Sequence, residues 1–183
     1  MHLLIRLSVF FSLTSSIMAG MTSPDGRYKV EYRKNSFVTE AVFMETKNNT
    51  ILHVSVTSGF MSEPYQEVSW SPDSKHLVVI GRGTKTTAHL KIYEFSEDTV
   101  TRLVTPAFRL NLLGRHKLVE GGRYNFVKNI QWVKGGIQVA AFGSLVDGAS
   151  NPKDDRKNWY FYDVMIEVDG RRAELKRVKK SAP

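Results

Sequence analysis

One stretch of this chain, Val68-Ser69-Trp70-Ser71-Pro72-Asp73-Ser74-Lys75-His76-Leu77-Val78-Val79, recurs in worn form on either side of itself. Ser23-Pro24-Asp25-Gly26-Arg27-Tyr28-Lys29-Val30 repeats its centre 48 positions earlier, measured from proline to proline. Ile130-Gln131-Trp132-Val133-Lys134-Gly135-Gly136-Ile137-Gln138-Val139 keeps the tryptophan 62 positions later and drops the Ser-Pro-Asp. Recurrence at such a spacing means a unit used several times, each copy burying its apolar face against the next. The recurring chemistry is that of a tight turn. Proline fixes φ, aspartate accepts hydrogen bonds from backbone N–H groups just beyond it, and glycine or serine completes the reversal. The tryptophan is expected as a buried aromatic at the end of the preceding strand.

Between these turns the pattern is that of strands. Tyr28–Tyr32 alternates strictly, and Ala41–Glu45 and Ile51–Val56 flank the turn Lys47-Asn48-Asn49-Thr50. Leu77–Ile80, Leu90–Phe95, the turn Ser96-Glu97-Asp98-Thr99 and Val100–Val104 repeat the plan. Gly136–Phe142, Trp159–Ile166, the turn at Asp169-Gly170 and Ala173–Val178 repeat it again. Asp-Gly between alternating runs marks a hairpin, because glycine enters positive φ without Cβ strain. Along Trp159–Ile166 apolar residues occupy both faces, which predicts a strand covered on both sides. One segment breaks the rhythm. Thr105 as N-cap, Pro106 at the first helical position and Gly114 past the end predict a short helix over about 106–113.

The Trp-Ser-Pro-Asp-Ser-Lys-x-Leu stretch resembles the Ser-Pro-Asp-Gly type repeat of the β-propeller superfamily that includes the TolB periplasmic proteins and the WD40-like propellers. The resemblance implies an all-β fold of about three four-stranded antiparallel blade-like sheets, at about 21–57, 66–104 and 126–178. It carries over no functional residue, since the matching positions are structural in that superfamily too. Propellers close with 4–8 blades. About three blades leave edges open, and open edges invite pairing.

Residues 1–19 hold a single charged residue, Arg6, then the apolar run Leu7–Leu13, then the small polar patch Thr14-Ser15-Ser16 and Ile17-Met18-Ala19, with Ile17 bulkier than is usual there. That order describes a secretory signal peptide cut after Ala19, and the run is too short to span a bilayer. The expected mature part is a single domain over 20–178 with a basic tail at 179–183, exported to the periplasm or secreted, and without a transmembrane segment after processing. The 183 residues include no cysteine, which excludes a disulfide framework, a thiolate nucleophile and a Cys-ligated metal. An exported domain of this kind is held by packing alone.

Lys and Arg number 26 against 18 acids, a net charge of +8. Much of the excess lies at Arg171, Arg172, Lys176, Arg177, Lys179 and Lys180. Such a tail suits an anionic surface or an acidic partner, or simply a solvated edge strand whose lysines deter pairing. No nucleic-acid motif accompanies the charge, so nucleic acid is not the expected partner.

No catalytic, cofactor or metal constellation stands out, and no cofactor is expected. Candidate partner-binding residues fall in three loops. Phe60, Met61 and Tyr65, in the link 58–66, are apolar where a linker is exposed, as an interface anchor would be. Arg82 and Lys85, in Gly81–Thr86, suit an anion, although the phosphate-loop spacing is missing. Asp147, Asp154 and Asp155 lie in the long loop 145–158, where Lys153, Arg156 and Lys157 oppose a cation and leave partner recognition as the use. His76 and His89 form a conceivable metal pair if they face each other across one hairpin. The reading these features favour is a non-catalytic exported module that holds a protein partner, or a second copy of itself, through blade edges or loops. The alternatives are a small periplasmic hydrolase, the accessory propeller of one with its site in a central funnel, or a secreted hydrolase inhibitor.

Overall fold

The computed structural model describes residues 16–34, 39–57, 65–84, 87–105, 125–145 and 156–181. The chain is all-β. A four-stranded antiparallel sheet holds β1 (Ser16–Thr22), β2 (Tyr28–Lys34), β3 (Thr39–Glu45) and β4 (Ile51–Thr57) in chain order. An eight-stranded mixed sheet holds β5 (Tyr65–Trp70), β6 (His76–Thr84), β7 (Thr87–Ser96), β8 (Thr99–Arg102), β9 (Asn125–Val133), β10 (Gly136–Ser144), β11 (Trp159–Asp169) and β12 (Arg172–Lys180). A single 3-10 turn, Arg156–Asn158, precedes β11. The helix expected over 106–113 lies outside the described residues.

The grouping differs from three separate sheets. β5 to β8 form one antiparallel meander and β9 to β12 another. The two are joined by one parallel pair, Thr87 with Asn125, and by a parallel bridge of Val104 with Arg172. Within each meander the turns are those the residues dictate. Asn49 and Glu97 take positive φ at the tips, and Gly170 does so between Asp169 and Arg172.

The cores explain the packing order. Tyr28, Val30, Tyr32, Ala41 and Phe43 of the first sheet bury against Trp70, Leu77, Val79, Tyr93 and Phe95. On the opposite face of β6 and β7, Val78, Ile80, Leu90 and Ile92 bury against Ile137, Val139, Tyr160, Tyr162, Val164 and Ile166. Leu77 to Ile80 therefore read as a continuous apolar run, because the middle meander is covered on both sides. β11 is covered fully on one face only. Tyr160, Tyr162, Val164 and Ile166 are buried, whereas on the other face Trp159 is buried and Phe161 and Met165 are only partly so.

β1 supplies an opening strand that strict alternation does not show. Four of its residues, Ser16 to Ala19, come from the expected signal peptide. Its ladder to β2 slips between Met18 and Met21. At the other end of the chain the basic residues from Arg172 to Lys180 form β12, the outermost strand of the larger sheet.

Candidate functional site

The two intact copies of the repeat build their turns from a shared set of bonds. Ser23 N–H donates to the Tyr28 carbonyl at 2.8 Å, and Tyr28 N–H donates to Ser23 Oγ at 2.9 Å. That hydroxyl donates in turn to Asp25 Oδ1 at 2.6 Å, which also accepts Arg27 N–H at 3.0 Å. In the second copy Ser71 and His76 repeat the backbone bond at 2.8 Å, and His76 N–H reaches Ser71 Oγ at 2.8 Å. Ser71 Oγ donates to Asp73 Oδ1 at 2.6 Å, and Lys75 N–H reaches the same oxygen at 3.1 Å. The reversal needs a left-handed residue, filled by Gly26 at φ 73° and by Ser74 at φ 60°.

These bonds set the charge of both aspartates. The Ser23 hydroxyl and the Arg27 N–H hold the Asp25 carboxyl below its ordinary value. At Asp73 burial pushes the pKa up, but the Ser71 hydroxyl and the Lys75 N–H more than offset it, and the net shift is downward. Both are structural carboxylates, ionised at neutral pH.

Neighbouring turns meet in two seams, related by the repeat. At the first seam, Tyr28 after turn one stacks on Trp70 before turn two, with ring centroids 6.4 Å apart. At the second, His76 after turn two lies against Trp132 before turn three at 6.3 Å. Both tryptophans bury their indole N–H without an acceptor, so that feature belongs to the repeat and marks no ligand. The first seam is closed by a further bond: Asp25 N–H donates to Ser74 Oγ at 3.0 Å, and Ser74 is 3% exposed.

The second seam has no such closure. Trp70 pairs with Leu77 and Trp132 with Ile137. Turn two thus has six residues between its flanking pair and turn three four, and turn three has no Ser-Pro-Asp. A groove of about 510 Å³ opens there, lined by Ser71, Pro72, Asp73 and His76 on one side and by Trp132, Lys134 and Gly135 on the other. Its volume lies in the range of small-ligand and peptide pockets. Among the described residues no acceptor takes the Asp73 N–H, the counterpart of the Asp25 donor. Burial lowers the His76 pKa, partly countered by Asp73 and Glu94, so its ring is neutral at pH 7 and offers one donor and one acceptor.

Gly136 at the groove floor admits no side chain. Its φ is 156°, and a Cβ there would run into the Ile166 carbonyl oxygen. On the far side of the seam, Glu67 ties the meanders together. Its carboxylate accepts Asn129 N–H at 2.7 Å and Ile130 N–H at 2.5 Å. Those two donors are released by a bulge in the β9–β10 ladder, where Asn129 takes φ 59°.

The residues singled out in sequence lie elsewhere. Phe60, Met61, Lys85, Asp147, Asp154 and Asp155 fall outside the described residues, as do the side chains of Tyr65 and Arg82. By backbone, Tyr65 pairs with Gly81 and Arg82 with Ala88. Gly81 to Thr84 belong to β6, which extends to a Thr84–Thr87 pair, so most of that stretch is strand rather than loop. Loop 145–158 is clamped at its base, where Leu145 N–H donates to the Asn158 carbonyl at 2.7 Å. His76 and His89 do not face each other. His76 pairs with Glu94 and His89 with Gly81, five residues along β6, or roughly 17 Å apart at strand rise. What the sequence reading missed is the groove, although one signal was present: turn three is two residues short. The chain matches no protein-family model, and no curated protein is significantly similar to it in sequence.

Proposed function

We propose that this chain is an exported, non-catalytic binding module that holds a protein partner, built as an incomplete β-propeller-like stack of three four-stranded units. The recurring turn supports the repeat: two copies share the serine-to-aspartate bond and the backbone bonds that close the turn, and each is followed by an aromatic packed on the next unit's tryptophan. The observation that carries the binding reading is the open second seam. A closed seam spends its donors and its space within the chain. The second seam keeps both, in a concave surface walled by His76 and Trp132 with Lys134 at its edge.

The test is affinity capture from an envelope extract by the chain starting at Gly20, at physiological salt. A partner retained in stoichiometric amount is the expected result. Recovery of nothing beyond what bare resin retains removes the reading. Cell fractionation with an intact mass beginning at Gly20 tests export separately.

A further inference from the structure

Two interfaces hold the three units together, and pairing register lets them be compared position by position. Lys91 of β7 is the counterpart of Val164 of β11, because Val79 pairs with Lys91 as Val139 pairs with Val164. Arg102, opposite Tyr93, corresponds to Leu175, opposite Ile166. Phe43 pairs with Val30 as Ile92 pairs with Val78, so His53, opposite Phe43, corresponds to Leu103, whose N–H donates to the Ile92 carbonyl. The second interface is thus apolar at all three places, and Val164 and Leu103 are buried there. The first interface has a lysine, an arginine and a histidine instead. The architecture does not demand polar groups at these positions, so their presence asks for another reason.

The three converge on Tyr93. Lys91 and Tyr93 share one face of β7, the face that packs on the first sheet, and Arg102 stands beside Tyr93 on β8. From the first sheet, the His53 ring lies 5.9 Å from the Tyr93 ring. Ser55 Oγ accepts the Tyr93 O–H at 2.9 Å, which leaves the serine proton without an acceptor among the described residues. The charge here is one-sided. Among the described residues no acid pairs with Lys91 or Arg102. Glu94 lies on the opposite face of β7, beside His76, and Glu45 and Asp98 gather farther along the interface, around Tyr28. Lys91 is partly buried, and burial and then the Arg102 charge draw its pKa down. Burial and then the Lys91 charge do the same to His53. A partly buried ammonium without a counter-charge is costly, and an anion from outside removes that cost.

We propose that Lys91, Arg102, Ser55 and His53 form a binding site for a small, doubly charged oxyanion of the phosphate and sulfate class. Two uncompensated cations match two negative charges. The Lys91 ammonium, the Arg102 guanidinium and the Ser55 hydroxyl donate to the oxygens, and the neutral His53 ring supplies one further N–H. The site lies between the first sheet and the middle meander, and it does not rest on the binding-module reading.

Sodium sulfate and sodium phosphate are titrated separately into the isotopically labelled chain at neutral pH, with ionic strength held constant by sodium chloride. The readout is the ring signals of His53, with those of His76 as internal reference. Saturable shifts at His53 and none at His76 are expected from both salts. Lys91→Met, which gives the site an apolar chain as the second interface has, is expected to abolish saturation. Arg102→Gln is expected to weaken binding about tenfold. Sulfate should also raise the urea midpoint of the parent chain but not that of Lys91→Met, since a ligand of the folded state stabilises it. Should Lys91→Met fail to fold, Arg102→Gln, at an exposed position, still decides.

Shifts at His53 that never saturate overturn the proposal, as do equal shifts at His76 or binding unchanged by Arg102→Gln. Sodium acetate binding as tightly as sulfate also overturns it, because one negative charge then suffices. None of these failures touches the envelope capture, which stands or falls by itself.

Discussion

Ser74 does two jobs that pull against each other. Its backbone sits at φ 60°, where any Cβ is strained by roughly 1 kcal/mol or more, and its hydroxyl accepts the Asp25 N–H. Turn one resolves the first demand with Gly26 and needs no hydroxyl, having no earlier turn to meet among the described residues. Ser74→Ala keeps the strain and loses the bond, and it is expected to cost about 1–2 kcal/mol in urea unfolding. Ser74→Gly loses the bond and relieves the strain, so its loss should be smaller by about 1 kcal/mol. Equal losses in the two variants would mean that the hydroxyl alone matters. His76 gives a pH signature. Burial depresses its folded pKa below the ordinary 6.5, so the stability tied to its neutral form is full above pH 6.5 and is lost as pH falls through the folded value. His53, depressed by burial and by Lys91, adds in the same direction. The urea midpoint should therefore fall between pH 7 and pH 5, and His76→Phe should flatten part of that fall. The structural carboxylates of Asp25 and Asp73 act later, losing their contribution only below about pH 3.8.

At the scale of elements, what alternation and turn chemistry encode was legible: the strands from Tyr28 onward, the hairpin at Asp169-Gly170 and the Ser-Pro-Asp turns follow from period-two patterning and local bonding. What depends on distant partners was not. The bulge at Asn129 and Ile130 finds its acceptor in Glu67, more than sixty positions earlier, and nothing in the residues around the bulge announces it. The single parallel pair of Thr87 with Asn125, which merges two meanders into one sheet, is likewise a product of packing. β1 escaped notice for a different reason. Its first residues have the small and apolar composition of a leader's end, which obscures a strand that shows little alternation of its own. The candidate site was half legible. Its walls are repeat residues read in sequence as structural, and its cavity comes from a two-residue shortening visible only when the copies are aligned.

The whole molecule is organised around its middle meander. Leu77 and Val79 point into the core shared with the first sheet, while Val78 and Ile80 point into the core shared with β9 to β12. Neither outer unit can keep its core without β6. Unfolding is therefore expected as one transition rather than as separate losses of the flanking units. Leu77→Ala, at a site with no exposure, should cost about 2–5 kcal/mol. Val78→Ala, in the other core, should lower the midpoint of that same transition. Two resolved transitions, each sensitive to one variant, would contradict this.

β1 also imposes an order of events. A protease reads its substrate as an extended, unpaired segment. The bond after Ala19 lies inside β1, at the slip in its ladder to β2. Once the first sheet has closed, that bond is flanked on both sides by residues paired to β2, Met18 to Tyr32 and Met21 to Val30. A leader cut at Ala19 must therefore be removed while β2 is still free. A chain cut there would fold with Tyr32, Arg33 and Lys34 facing no strand from its own N-terminus.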